Sequence, residues 1–75
     1  MELKEMIHSY VTDSIEEKTR YNTDFGIGVF TTINYLHWGE YPTIHVNIRN
    51  GKSKHFNMNE SKDTDVVSWI YDNVK

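Results

Sequence analysis

No cysteine occurs in this chain of 75 residues, so no disulfide can staple its fold. A small chain without such staples points to an intracellular, cytoplasmic setting. No run approaches the roughly 20 apolar residues that a membrane span needs. The first residues, MELKEMIHSY, carry acids where a secretory signal would carry a basic segment followed by an apolar one. Neither membrane insertion nor a signal peptide is therefore expected. Motifs for chemistry are also missing. Ser9, Ser14, Ser53, Ser61 and Ser68 have no positioned base and third orienting group around them. Gly26-Ile27-Gly28 lacks a phosphate-loop sequence and lies inside a strand-like pattern. No catalytic residue, cofactor site or metal site is expected.

Positive charge is scarce as well: eleven acids face eight bases, for a net charge of -3 with neutral histidines. The distribution says more than the total. Residues 1–24 carry a net -3 and residues 59–75 a net -2, whereas residues 25–58 carry a net +2 and three of the four histidines. The ends are acidic and the middle is mildly basic. Aromatic residues make up 13% of the chain. A core this small needs large side chains, and this supply leaves some for the surface.

Arg49-Asn50-Gly51-Lys52, flanked by two short β-type runs, predicts a hairpin in the middle of a chain whose two ends read as helices. Residues 2–20 form the first helix: Leu3, Met6, Ile7, Tyr10, Val11, Ser14 and Ile15 recur at spacings of three and four, and Lys18 closes the stripe. Asn22-Thr23-Asp24 ends it. Residues 25–37 read as one long strand by their period of two, with both glycines on one face. Trp38-Gly39-Glu40-Tyr41 reads as a type II′ turn, which sets Tyr35 opposite Ile44, Ile33 opposite Val46 and Thr31 opposite Ile48. Pro42 fits the start of the next strand, residues 43–49.

Parity decides the second hairpin. A two-residue Asn50-Gly51 turn would send Phe56 to the wrong face. A three-residue loop, Arg49-Asn50-Gly51, with Gly51 left-handed in a bulge, sets Ile44 opposite Phe56, Val46 opposite Lys54 and Ile48 opposite Lys52. The third strand is then residues 52–58. Residues 61–74 form the second helix, with Ser61 as N-cap (Asn59 is the alternative), Val66, Val67, Ile70 and Val74 inward, and Trp69 and Tyr71 on the flanks. The expected fold is one α+β domain over residues 1–75, of order α-β-β-β-α, with a three-stranded antiparallel meander and both helices on one face.

The opposite sheet face then meets water or a partner. Phe30, Leu36, Trp38, Tyr41, His45 and His55 fall on it. Its centre is polar, with Asn34, His45 and His55 in line, and one end is aromatic, the usual anatomy of a protein contact site. His45 and His55 could share a metal ion, but a third ligand is lacking: Glu40 lies too far along and His37 points the other way. Arg49, Lys52, Lys54 and Lys62 are candidate nucleic-acid contacts.

The element order and length resemble the double-stranded RNA-binding domain, in topology alone. That resemblance implies a basic cluster at the start of the second helix; the matching segment here is Ser61-Lys62-Asp63-Thr64-Asp65-Val66. Two function classes follow. The first is a small noncatalytic regulator, adaptor or inhibitor, of the kind phages and mobile elements encode, that binds another protein on the outer sheet face, with a homodimer mate through a sheet edge as a further option. The second is a nucleic-acid-binding module.

Overall fold

The computed structural model describes residues 2–74, with Trp38 described through its backbone alone. Its order is α1 (Leu3–Glu17), β1 (Arg20–Thr23), β2 (Thr31–Trp38), β3 (Tyr41–Ile48), β4 (Lys52–Asn57) and α2 (Asp63–Val74). The fold is α+β, but the sheet is a four-stranded antiparallel meander, β1-β2-β3-β4, and not the expected three-stranded one. The extra strand, Arg20–Thr23, comes from residues read as helix end and linker.

The helix stops three residues early because the chain reverses at Lys18, which caps α1 in the left-handed conformation with φ 52°. Its N–H donates to the Ser14 carbonyl, as does that of Thr19, while the buried Ser14 hydroxyl donates to the Thr19 carbonyl at 2.7 Å. Ser14 is therefore the pin of the reversal rather than an ordinary stripe member. Arg20, read as the last residue of that helix, instead opens β1 opposite Asn34.

The expected strand over 25–37 is also corrected: only Thr31–Trp38 is strand. Residues 24–30 loop out. The Asp24 carboxylate accepts the Gly26 N–H at 2.9 Å and the Asp24 carbonyl accepts that of Ile27. Phe25 and Gly26 both have positive φ, 53° and 78°, as in a primed turn. Phe25 accepts this strain because its ring is buried, with 3% of its surface exposed, and meets the edge of Tyr10 at 5.6 Å. Tyr10 meets Tyr21 in the same way at 5.7 Å, so one helix residue gathers both β1 and the loop. The Tyr21 hydroxyl donates to the Glu17 carboxylate, a bond that pushes the phenol up to about 12.

The other two hairpins follow the sequence pattern. Ile33 pairs with Val46, Tyr35 with Ile44 and Trp38 with Tyr41. Gly39 takes φ 78°, the sign that the first central position of a II′ turn requires. Ile44 pairs with Phe56 and Val46 with Lys54, and Gly51 sits at φ 98°. The Asn50 side chain donates to the Asn73 carbonyl, tying this turn to the end of α2.

Helix α2 begins at Asp63, one residue later than a Ser61 cap would give. The Lys62 N–H donates to the Asp65 carboxylate at 2.8 Å, so the third helical residue closes the end and neither Ser61 nor Asn59 caps it. Val66, Val67, Ile70 and Val74 are buried as their spacing requires. With Ile7 and Val11 of α1 and Ile33, Ile44, Val46, Ile48 and Phe56 of the sheet, they form one hydrophobic cluster. All the buried sheet residues share one side of the strand alternation, so the other side is left without a layer over it. No described helix is long and apolar enough to cross a membrane.

Candidate functional site

The uncovered side of the sheet is built in cross-strand rows. Asn34 pairs with His45 and His45 with His55, as the alternation predicts; β1 adds Arg20 opposite Asn34. One row, Arg20–Asn34–His45–His55, therefore crosses all four strands. The next holds Asn22, Thr32, Asn47 and Ser53. On the other side lie Leu36, Thr43 and Asn57, and then Trp38 with Tyr41. Arg20 and Asn22 are the members that sequence reasoning missed. The only signal was a short alternation of Tyr21 and Thr23 with polar neighbours, too brief to separate from a helix end.

The two histidines are closely engaged. Their rings stack with centroids 4.0 Å apart and planes 5° from parallel. Burial against the sheet, and then the neighbouring charge of His55, hold His45 below its ordinary value of 6.5. Two imidazolium ions cannot share that spacing cheaply, so the neutral form of His45 is favoured. Among the described residues, no three His, Cys, Asp or Glu side chains gather as a metal would require.

Exposed apolar groups stand at both ends. Phe30 is 45% exposed and lines an open hollow of about 380 Å³ with Asn22, Thr32, Asn47 and Arg49. The Phe30 carbonyl accepts the Arg49 N–H at 2.9 Å, which extends the pairing of β2 and β3 by one step and holds both residues at this end. Tyr41 is 42% exposed and lines a second hollow of about 410 Å³ with Gly39, Thr43, His55 and Asn57. Leu36 is half-buried between the ends. The Trp38 side chain, expected as a contact, lies outside the described residues.

The four basic residues expected to contact nucleic acid are not brought together. Arg49 lies by Phe30. Lys52 and Lys54 oppose Ile48 and Val46 and so fall on the helix side of the edge strand, with the Lys54 ammonium 5.2 Å from the centre of the Phe56 ring. Lys62 precedes α2, whose first turn holds Asp63 and Asp65. The strand expected to be a sheet edge, β2, is covered by β1, so the edges are β1 and β4. His8, on the flank of α1, lies 3.3 Å from Asp63 and links the two helices.

A scan against protein-family models finds no match for this chain, and searches of curated proteins and of solved structures find none either.

Proposed function

We propose that this chain is a small noncatalytic binding module, a cytoplasmic regulator, adaptor or inhibitor that docks another protein on the open side of its sheet. The observation that carries this reading is the uncovered face itself. It has exposed aromatic anchors, Phe30 and Tyr41, at opposite ends, and polar side chains with free hydrogen-bonding capacity between them. Aromatic anchors set beside a polar field are what protein interfaces use. The layered arrangement gives a rigid platform, since β2, β3 and β4 each send side chains into the buried cluster on the other side.

The nucleic-acid reading draws on Arg20 and Arg49, but with Lys52 and Lys54 on the helix side it has few cations to set against a phosphate backbone. The test is capture from lysate by wild type beside a Phe30→Ala, Tyr41→Ala double variant, with and without nuclease, followed by rebinding of the purified partner. A protein held by wild type, lost by the variant and indifferent to nuclease supports the reading. Equal capture by both proteins, or capture abolished by nuclease, overturns it.

A further inference from the structure

Charge is divided between the two sides of this molecule. The chain is acidic overall, yet no aspartate or glutamate occupies any position on the open side of the four strands. The eleven acids lie elsewhere, seven on the two helices and Glu2, Asp24, Glu40 and Glu60 outside helices and strands. Arg20 and Arg49 flank the open side, both exposed, and neither makes an ion pair among the described residues. Between them the groups are amides, hydroxyls and the two stacked imidazoles.

Resting on the reading that this face docks a protein, we infer that the partner's contact surface is acidic and places its carboxylates along the Arg20–Asn34–His45–His55 row, so that docking takes up a proton. The row presents a guanidinium, an amide and two ring N–H groups on successive strands, whose backbones run about 4.8 Å apart. Arginine pairs with a carboxylate through two parallel bonds, and the Asn34 amide donates without bringing charge. A carboxylate over the stacked rings offsets the repulsion that disfavours a protonated pair.

His55 also lines an edge hollow with Lys54, Glu60 and Asp65, but His45 faces no titratable group other than His55. From β4 it meets His55, with Ser53 and Asn57 diagonal to it; from β2 it meets Asn34, with Thr32 and Leu36 diagonal; along β3 its same-face neighbours are Thr43 and Asn47. Arg20 lies two strands away, and both helices contribute to the cluster on the opposite side. The free pair holds fewer protons than the bound pair, so affinity rises as pH falls from neutrality.

The probe is a short capped peptide of glutamate and aspartate, with its glutamine and asparagine counterpart and a short oligothymidylate as comparisons, followed by amide and imidazole NMR shifts. The acidic peptide is expected to shift Arg20, Asn34, His45 and His55. It should bind about tenfold more tightly near pH 5.5 than near pH 7.5. Arg20→Gln weakens binding at both pH values, and the His45→Asn, His55→Asn variant flattens the dependence. The wild-type titration decides the matter even where a variant folds poorly. Equal binding of the amide peptide, shifts away from the row, or no pH dependence overturns the inference. Tighter binding of oligothymidylate at equal salt overturns it in favour of nucleic acid. Protein capture that depends on Phe30 and Tyr41, with no response of the row to the acidic peptide, overturns this inference alone and leaves the docking reading in place.

Discussion

His45 and His55 stack face to face across the β3–β4 pair, 4.0 Å between ring centres, on the side of the sheet that no described helix covers. The contact joins the fold's most regular feature, its register, to its most unusual surface.

Folding stability should depend on pH through His45. Its folded-state value is depressed, so between that value and about 6.5 the unfolded chain binds more protons than the folded one. The stabilisation is present above 6.5 and is lost as pH falls through the window. Urea unfolding of wild type should show a midpoint that declines from near pH 7 toward acid, with a smaller decline in His45→Asn. Equal slopes for both proteins would rule this out.

Gly51 has the left-handed φ that the bulge requires, and a Cβ there would meet nothing within 4 Å. The penalty for Gly51→Ala is therefore conformational rather than steric, about 1–2 kcal/mol. Gly51→Asn should cost less than Gly51→Val, since asparagine tolerates this region best. A ranking by side-chain volume would contradict the argument.

Phe25 holds a strained backbone by burying its ring against Tyr10. Phe25→Ala should remove about 3–5 kcal/mol. That approaches the whole stability of a domain this small, roughly 5 kcal/mol. Circular dichroism should show a largely unfolded population at room temperature. A cooperative transition near the wild-type midpoint would mean the loop is not part of the core.

Asp65 closes the start of α2 by accepting the Lys62 N–H. Asp65→Ala should lower stability by about 1 kcal/mol, and Ser61→Ala should leave it nearly unchanged. The reverse order, measured by urea unfolding, would return the cap to Ser61.

Half of this architecture was legible in the residues. The β2–β3–β4 meander follows from parity, because Phe56, Ile44 and Ile33 can be buried together in only one register. The inward face of α2 follows from spacing. Strand β1 was not legible. Four residues, Arg20–Thr23, are too few for a period to emerge, and their conformation is set by pairing with β2 and by Tyr10 packing on Tyr21. The loop over 24–30 imitated a strand because its apolar residues alternate by chance with glycines that take positive φ. The site was legible to the same extent: the line of Asn34, His45 and His55 came from register, while Arg20 needed the strand that periodicity could not reveal.

The central claim, that function resides in the open sheet face, is tested most directly by histidine footprinting of the complex with a captured partner. Carbethoxylation of all four histidines is compared with and without that protein. His45 and His55 lie on the open face, whereas His37 falls on the other side of the β2 alternation and His8 lies on α1. The account predicts protection of His45 and His55, with His8 and His37 reacting as in the free protein. Protection of His8 with His45 and His55 unchanged would move the interface to the helices and contradict it.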